Sequence, residues 1–564
     1  MTASTTPPSG FTARMTRRAL LRASALGASA VALGGVPAAA RTLGGTAAAG
    51  GSRAVLQLAR VWVSSPGQAA ALAAFDDTHA RFSDGSVELL LWPGDAARLD
   101  ALGVRFRVTE HDLAARDAER RAAAARTAAS DVPGARETYR TLGDYEADLR
   151  ALADAYPDKA RLFALPTASL EGRTIYGIEI ATDVAREDGR PVFYMDGLHH
   201  AREWPSGEVV IMYAHDLLES YGSDARLTHL VDTTRTVLVP VQNPDGFVRT
   251  RDAATSLISA NTPVTVPTFP TAVVSDFEYH RKNMRRHTNQ PEETGAGIDT
   301  NRNYALQWGG SGSSGSPSSQ TYRGAAPYSE PESAAIRDLL LSINATCVIT
   351  HHTYGQLCMR PWGALKHMTS PDEDLQAELG GQMTGFNGYA NIYAWQLYDT
   401  AGTSRDWAYG ATRALVWTYE HCDDEFHPNY AATIPDLYTT NREAFLVGHE
   451  AAADPAKHAV ISGRVVDSAG GPVAAQVTVS RPTPTETFLG EFVDEHYEFG
   501  ADAPDGVFAV HANPSSRPHI IKPDEGVVGP REQFLVRVTA GAASREFTVD
   551  LERGEAADLG TIAL

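Results

Sequence analysis

The sequence is poor in cysteine and in long apolar runs. Its 564 residues include three cysteines, at positions 347, 358 and 422. That number is too small for a disulfide framework, and because it is odd, at least one thiol has no partner within the chain. The apolar run near the N-terminus, Ala23 to Val36, is too short and too rich in alanine and glycine to span a bilayer. These shortages argue against a disulfide-stapled scaffold and against a transmembrane segment.

Positive charge is also scarce. Lysine and arginine number 49 against 69 aspartates and glutamates, a formal net charge of -20 at pH 7. Such a chain has no uniform basic face for the phosphates of nucleic acid, so we expect no nucleic-acid partner. With 43% hydrophobic and 21% charged residues the composition is that of a soluble globular protein. The length predicts about two to four structural units.

The N-terminus has the pattern of an export signal. Arg17 and Arg18 precede the uncharged run, and Ala38 to Ala40 supply the small residues that a signal peptidase accepts. This order resembles a twin-arginine signal peptide, assigned here to residues 1–40, and predicts a secreted, extracellular protein. The alternative is a disordered basic tail.

From Thr138 to about Asp454 strands and helices alternate. Amphipathic stretches of helical length, such as 207–220 and 330–344, separate apolar β-type runs. The predicted strands lie at 161–166, 174–181, 191–195, 236–241, 346–350 and 414–419. This alternation predicts an α/β domain with a mixed, largely buried sheet, in which the chemistry collects at the carboxyl ends of strands.

Two of these strands end in clusters of metal-binding side chains. His199, His200 and Glu203 follow the strand at 191–195, and the strand at 346–350 is followed directly by a second histidine pair, 351 and 352. Zinc takes imidazole nitrogen and carboxylate oxygen, and a catalytic zinc keeps one coordination position open. The spacing predicts a zinc site but leaves open which histidine of each pair is the ligand. The alternative is polar loops after buried strands.

Several motifs, in order along the chain, resemble those of the zinc carboxypeptidases of the carboxypeptidase A/B type. They are His200-Ala-Arg-Glu-Trp204, Arg281-Lys-Asn283, Gly297-Ile-Asp-Thr-Asn-Arg-Asn303, His352-Thr-Tyr354 and Val416-Trp-Thr-Tyr-Glu420. The resemblance covers residues 138–455. It implies that family's fold, a mixed eight-stranded sheet flanked by helices. It also implies one Zn2+ per catalytic domain and hydrolysis of the C-terminal peptide bond of peptides and proteins.

The resemblance also chooses the zinc ligands. They would be His200, Glu203 and His352, which leaves the metal a position for water. Asp299 resembles the carboxylate that orients a ligand imidazole from behind.

Further residues match the family's catalytic and substrate-binding groups. Glu420 would be the general base, and Arg281 would stabilise the oxyanion together with zinc. The terminal carboxylate of the substrate would be held by Asn301, Arg302 and Tyr398, because an arginine fork suits a carboxylate.

Substrate preference depends on Arg405, seven residues after Tyr398. In the family this position lines the base of the side-chain pocket, and a buried arginine there would pair with a terminal Glu or Asp side chain. We therefore expect a preference for acidic C-terminal residues. The alternative is that Arg405 turns away to pair with Asp399 or Asp406. Two roles stay open for Arg202, a contact with substrate and a structural ion pair.

Residues 53–113 predict a small α+β domain. A strand-like run over 54–64 precedes a helical pattern over 67–79, and further short strands follow. The order resembles the prosegments that cover the cleft of some secreted peptidases, and the alternative is a permanently packed domain. Residues 114–137, with charge on every face, predict a solvated helix or linker.

Residues 458–564 predict a small β-sandwich, because inward and outward residues alternate between turns. It resembles the transthyretin-like domains that follow the catalytic unit of some zinc carboxypeptidases. No catalytic cluster occurs in its sequence, so we expect an accessory or stabilising role.

Two other functions compete with a carboxypeptidase. A related zinc hydrolase could act on peptidoglycan stem peptides or glutamyl links, since Arg405 would accept an acidic group there too. A non-catalytic peptide-binding protein is the second alternative, and the intact set of ligands and base argues against it.

Overall fold

The computed structural model describes residues 55–72, 75–123, 131–253, 277–286, 297–481, 485–486, 492–493, 498–514 and 531–564. The predicted export signal at 1–40 lies outside this part of the chain. Among the helices of the described ranges, none combines the length and apolar character needed to cross a membrane.

A small antiparallel sheet with three helices comes first. Its elements are β1 (Gln57–Trp62), α1 (Pro66–Leu72), β2 (Asp76–Arg81), β3 (Val87–Leu91), α2 (Asp95–Ala101), β4 (Arg105–Glu110) and α3 (Leu113–Ala123). The strand order is β2-β3-β1-β4, which confirms the predicted α+β character. The helix predicted over 67–79 is wrong at its end, because β2 pairs with β3. Asp76 and Thr78 are both buried, as the period of two in a strand requires.

The stretch predicted as a solvated helix or linker is a helix over 113–123. One side of it is buried, including Leu113, Ala114 and Asp117. The Tyr279 hydroxyl donates a hydrogen bond to Asp117, so this helix is attached to the domain that follows.

The central domain alternates strands and helices. Its elements are α4 (Leu142–Ala155), β5 (Ala160–Ala164), β6 (Tyr176–Ile180), β7 (Val192–Asp196), α5 (Trp204–Glu219), α6 (Ala225–Thr233), β8 (Arg235–Val239), α7 (Pro244–Phe247), α8 (Pro331–Ile343), β9 (Ala345–Thr353), β10 (Leu357–Arg360), α9 (Glu373–Asn387), β11 (Ala390–Tyr393), α10 (Ser404–Thr412), β12 (Leu415–His421) and α11 (Tyr430–Ala453). They form one eight-stranded sheet in the order β11-β10-β12-β9-β7-β8-β6-β5. Parallel and antiparallel pairs both occur, so the predicted mixed sheet is confirmed.

Helices cover both faces of this sheet. In β7, Phe193 and Met195 belong to the apolar cluster on one face, and Val192 and Tyr194 to the cluster on the other. A strand covered on both sides must be apolar throughout, which is why these runs are continuous rather than alternating. Each such side chain contributes about 1.5–3 kcal/mol when fully buried. The neighbouring strands β7, β9 and β12 run parallel, so their carboxyl ends meet at one edge.

The C-terminal part is all β. Its strands are β13 (Ala459–Val466), β14 (Ala475–Ser480), β15 (Thr485–Glu486), β16 (Phe492–Val493), β17 (Glu498–Ala503), β18 (Val507–Ala512), β19 (Glu532–Ala540), β20 (Ala543–Leu551) and β21 (Ala556–Ala563). Two sheets, β18-β13-β21 and β17-β14-β19-β20, enclose an apolar core. The predicted sandwich is confirmed. Its likeness to a transthyretin-like domain stays a prediction.

Candidate functional site

The candidate site lies where β7, β9 and β12 end. His200 is in the turn after β7, and Glu203 immediately precedes α5. His352 is near the end of β9, directly opposite Glu420 of β12 in the strand register. Three separate segments therefore deliver their polar side chains to one edge of the sheet, as expected for a sheet of this kind.

A tight turn presents the first two of these side chains. A side chain at Gly197 would come within 2.5 Å of the Ser206 carbonyl oxygen, so the turn needs glycine there. The Ser206 hydroxyl accepts a hydrogen bond from the Leu198 amide (2.9 Å) and donates one to the Glu203 carbonyl oxygen (2.6 Å). These bonds tie the turn to the beginning of α5.

Two imidazoles and one carboxylate converge in the site. The Nδ1 atoms of His200 and His352 each lie 2.8 Å from a different oxygen of Glu203 and 3.1 Å from each other. All three side chains are buried, and one ligand atom from each lies within 4.8 Å of the others. Two histidines and one glutamate are a known donor set for catalytic zinc, so the residues present fit the metal.

The electrostatics of the cluster also suit a cation. Burial raises the pKa of Glu203, but His200 and His352 outweigh burial and hold that pKa well below its usual range. Burial lowers the pKa of His352 to about 4. A deprotonated carboxylate and a neutral imidazole are the forms that bind a metal ion.

The other histidine of each pair lies outside the cluster. His199 Nε2 lies 3.3 Å from the Tyr304 hydroxyl. His351 Nδ1 lies 2.8 Å from His421 Nε2. The choice of His200 and His352 that the resemblance implied is therefore the one that the structure brings together.

Asp299 lies behind the cluster. Its Oδ1 is 3.2 Å from His200 Nε2, so His200 presents its other nitrogen to the centre. Its Oδ2 accepts hydrogen bonds from Nη2 (3.0 Å) and Nε (3.2 Å) of Arg281. Burial raises the pKa of Asp299, but Arg281, Arg302 and His200 lower it well below its usual range. Arg281 Nη1 is 3.7 Å from Glu203, which places a fixed positive charge beside the cluster.

The three residues predicted to bind the substrate carboxylate are also together. Arg302 Nη2 donates to the Tyr398 hydroxyl (3.0 Å), and its Nη1 donates to the Asn301 carbonyl oxygen (2.8 Å). Asn301 Oδ1 accepts from the Ser404 amide (2.9 Å), and Asn301 Nδ2 lies 3.2 Å from His352 Nε2. The predicted carboxylate-binding residues are thus linked directly to the cluster of two histidines and one glutamate.

Arg405 lines the same pocket as Glu420, His200 and His352, together with Met359 and Thr418. The arginine is 3% exposed. It also pairs with Asp406, the predicted alternative, through Nε and Oδ1 at 2.9 Å. The ion pair with Asp406 is therefore present, and Arg405 nevertheless lines the pocket.

Comparison with known proteins decides the family. The model of the zinc carboxypeptidase family matches residues 145–444. The chain belongs to the zinc carboxypeptidase family. It is a zinc-dependent metallocarboxypeptidase, a hydrolase that cleaves C-terminal peptide bonds, so the predicted family, enzyme class and cofactor are confirmed.

Curated relatives match this zinc carboxypeptidase at moderate identity. Carboxypeptidase B of Helicoverpa zea is 27% identical over 384 residues, which are 63% of this chain and 82% of that protein. Carboxypeptidase A2 of Rattus norvegicus is 28% identical over 303 residues, 52% of this chain and 64% of that protein. Carboxypeptidase A1 of Homo sapiens is 31% identical over 260 residues, 44% of this chain and 54% of that protein. The match to the two mammalian enzymes therefore spans less than two thirds of their length.

Solved structures agree on the fold. Carboxypeptidase A from Helicoverpa armigera superposes with a TM-score of 0.57 at 22% identity, covering 71% of this chain and 98% of that one. Thrombin activatable fibrinolysis inhibitor superposes with a TM-score of 0.55 at 20% identity, covering 70% of this chain and 98% of that one. At this identity the likeness concerns the fold alone.

Arg202 of this carboxypeptidase is engaged by the N-terminal sheet. Its Nη1 and Nη2 donate to the two carboxylate oxygens of Asp76 at 2.6 and 2.8 Å, and its guanidinium lies 4.2 Å from the Phe426 ring. The ion-pair alternative is therefore the one present in this structure. Asp76 lies 126 residues earlier in the chain, so no local sequence signal links the two.

Two further contacts at the pocket were missed from the sequence. Thr400 Oγ1 accepts from Arg405 Nη2 at 3.1 Å. A side chain at Gly363 would come within 2.0 Å of that same nitrogen, so glycine there leaves room for the arginine. Position 363 carries no local signal of this role, because the close approach comes from a helix that follows 40 residues later.

Proposed function

We propose that this carboxypeptidase is secreted and releases acidic residues, Glu or Asp, from the C-termini of peptides and proteins. The observation that carries the proposal is Arg405 in the pocket beside Glu420. Its Nε and Nη2 are used by Asp406 and Thr400, whereas its Nη1 has no hydrogen-bond partner within the described part of the chain. An arginine nitrogen left free in a buried pocket favours a carboxylate from the substrate.

Asp406 supports this role of the arginine. Its Oδ2 accepts hydrogen bonds from the amides of Gly363 (2.8 Å) and Ala364 (2.9 Å), so its position is set by the backbone. The Asp406 carboxylate, held in this way, orients the guanidinium of Arg405 through Nε and leaves Nη1 for a ligand. Such preorganisation lowers the cost of binding an acidic side chain.

The residues of the cluster have distinct roles in this proposal. His200, Glu203 and His352 hold zinc, which when bound supplies a Lewis acid and a water of lowered pKa. Glu420 takes the proton of the attacking water and delivers it to the departing amine. Arg281, held by Asp299, places positive charge where the oxyanion develops.

Recognition of a free chain end is assigned to the carboxylate clamp. Arg302 uses Nε on the Gly312 carbonyl oxygen (2.9 Å) and Nη1 on Asn301, which fixes its orientation. Its Nη2, shared with the Tyr398 hydroxyl, is the group we expect to bind the terminal carboxylate. The half-buried position of Tyr398 at the rim allows it to move as the substrate enters.

The N-terminal sheet is proposed to be a removable prosegment. Phe75, Asp76 and Asp77 lie over the cleft and line a cavity together with Arg281 and Tyr398. Asp76 accepts hydrogen bonds from the guanidinium of Arg202. Arg202 can therefore contact substrate only after the N-terminal sheet has been removed. We expect cleavage within 114–137 to release it.

The test of substrate preference is C-terminal residue release from a panel of peptides ending in Glu, Leu or Lys, with and without a zinc chelator. We expect fastest release of Glu and loss of all release with the chelator. Arg405→Ile removes the charge from the pocket and should lower kcat/KM for the Glu peptide by at least about thirtyfold. Arg405→Lys is the matched control, which keeps the charge and should retain part of the preference.

An unaltered ratio of Glu to Leu release in Arg405→Ile would refute the pocket assignment. Muropeptides included in the same panel test the second candidate, a hydrolase of peptidoglycan stem peptides or glutamyl links, since the same pocket arginine would accept their acidic groups. Faster hydrolysis of muropeptides than of the Glu peptide would favour that function. Binding of peptides without any release would favour a non-catalytic binding protein.

A further inference from the structure

The C-terminal end of α10 is held by the sandwich. Arg481 Nη1 donates to the Ala411 carbonyl oxygen at 2.7 Å, and its Nη2 donates to that of Thr412 at 3.1 Å. Asn513 Nδ2 donates to the same Thr412 oxygen at 3.3 Å. The last carbonyl groups of a helix have no partner within it, so two side chains of another domain complete the hydrogen bonding of this helix.

These two side chains are buried in the contact between the domains. Arg481 is 8% exposed and Asn513 is fully buried. Arg481 Nη2 also donates to the Asn513 carbonyl oxygen (3.1 Å), and its Nε forms an ion pair with Glu532 (2.6 Å). A cation fixed at a helix C-terminus is favoured by the helix dipole. Removing it would leave buried carbonyl groups unsatisfied.

The other end of α10 is the substrate pocket. Arg405 is the second residue of this helix, whose N-cap is Thr403. The amide of Ser404, the first residue, donates to Asn301 of the carboxylate clamp. A helix of nine residues is about 13 Å long, so the pocket and the sandwich are separated by one short rigid rod.

The helix depends on its ends more than the neighbouring strands do. The strands β9 and β12, which carry His352 and Glu420, are each paired with strands on both sides. In contrast, α10 has no strand pairing to hold it and packs through its side chains on α8, β9 and β12. A small tilt of α10 would therefore displace Arg405 while leaving the ligand histidine and the base in place.

We propose that the sandwich positions the pocket arginine: Arg481 and Asn513 fix the C-terminal end of α10 and thereby set the location of Arg405 at its other end. Arg481 is in this sense a positioning residue for substrate selection. The inference rests on the proposed acidic preference, because it concerns the residue that carries it. It also gives the sandwich a role in the enzyme beyond stabilisation.

The test uses the full chain loaded with zinc and treated with protease in the same way for every variant. Arg481→Ala should raise KM for the Glu peptide about tenfold, since a misplaced binding group weakens binding steeply. It should leave kcat within about twofold and KM for the Leu peptide little changed, because the base and ligands stay in place. Arg481→Lys, which keeps one cationic donor, should restore part of the affinity.

Arg531→Ala is the matched control. Arg531 is an exposed arginine of the same sandwich that pairs with Glu555, and its loss should change neither KM. If Arg481→Ala does not fold, Asn513→Ala removes one contact to the same carbonyl and should give a smaller rise in KM for the Glu peptide. A second readout is calorimetric binding of the Glu peptide to Glu420→Gln with and without Arg481→Ala, which should show the same weakening without turnover.

The possible outcomes distinguish a failure of this inference from a failure of the proposed acidic preference. A lower melting temperature with unchanged KM for the Glu peptide would show a purely structural contact and overturn the inference alone. An equal rise in KM for the Glu and Leu peptides would also overturn it, because the effect would not pass through Arg405. A wild-type enzyme without any preference for Glu would overturn both the inference and the acidic specificity.

Discussion

A small α+β domain and a β-sandwich flank the catalytic sheet at opposite ends of the same strands, and the groups through which they attach differ. The N-terminal sheet reaches the carboxyl ends of the strands through side chains, with Asp76 on Arg202 and Glu88 on the Tyr354 hydroxyl (3.4 Å). The sandwich reaches the beginnings of the strands through backbone carbonyl groups, in addition to an ion pair between Arg553 and Asp372 (2.9 Å). Asn513 Nδ2 donates to the Ala345 carbonyl oxygen, where β9 begins, at 2.7 Å.

The difference supports the proposal that the N-terminal sheet is removed while the sandwich stays in place. A carboxylate on the guanidinium of Arg202 can be exchanged for a substrate carboxylate of the same chemistry, so the N-terminal contact is replaceable. The backbone carbonyls under the sandwich have no comparable substitute, and exposing them without partners is costly. We therefore interpret the N-terminal sheet as a cover and the sandwich as a permanent part of the enzyme.

The largest expected effect is the fall in kcat when the proposed general base is removed, and the effects at the two flanking domains are compared with it. Glu420→Gln should reduce kcat by about 10²–10⁴-fold, since it removes the proton acceptor and leaves the shape unchanged. Bound zinc, measured by elemental analysis, should stay at the wild-type level because Glu420 is not among the clustered ligands. Glu378→Gln, at an exposed site, is the control. Unchanged turnover in Glu420→Gln would sink the assignment of the base.

Low pH should reduce the stability of the sandwich where it meets the catalytic domain. His458 Nε2 and His511 Nδ1 lie 2.5 Å apart where the sandwich meets the catalytic domain. Burial lowers the pKa of His458 to about 3 and that of His511 to about 4. In the unfolded chain both histidines take up a proton near pH 6.5. The contribution of the neutral pair to the free energy of unfolding is therefore fully present above that pH. It is lost as the pH falls toward about 4 and then about 3.

The measurement is the unfolding transition of the sandwich between pH 7 and pH 4. The wild type should lose about 3 kcal/mol of stability per histidine over this range, and His511→Gln should show a flatter dependence. His229→Gln, at an exposed histidine, should behave as the wild type. An equally steep loss in His511→Gln would contradict a role of the pair in this dependence.

The smallest expected effect is release of the N-terminal cover. Asp76→Asn removes the charge that holds Arg202 and should raise the activity of the uncut chain about tenfold, because the cover then leaves the cleft more often. After protease treatment the variant and the wild type should be equally active. Asp84→Asn is the control, since Asp84 pairs with Arg60 within the same sheet. Equal activity of the uncut Asp76→Asn and wild-type chains would show that this contact does not restrain the enzyme.

The central strands were predictable because their signal is local. The strands β7, β9 and β12 are mainly apolar before their polar carboxyl ends, as burial on both faces favours, and all three were found from the sequence. The short strands β10 and β11 were not, because four residues give too brief a pattern. The helix expected over 67–79 failed for a related reason. Pairing of 76–81 with β3 outweighed the local preference.

The central strands and the ordered motifs could be read from the sequence, and the resemblance of those motifs to a family predicted the zinc ligands and the base. The pairing of Arg202 with Asp76, and the position of Arg405 between Asp406 and the pocket, became visible in the folded structure alone. The same is true of the contact through which Arg481 completes the hydrogen bonding of the helix that carries Arg405. The physical reason is common to all three. Each contact joins groups whose partner depends on side-chain direction after a turn or on the docking of another domain, and spacing along the chain specifies neither.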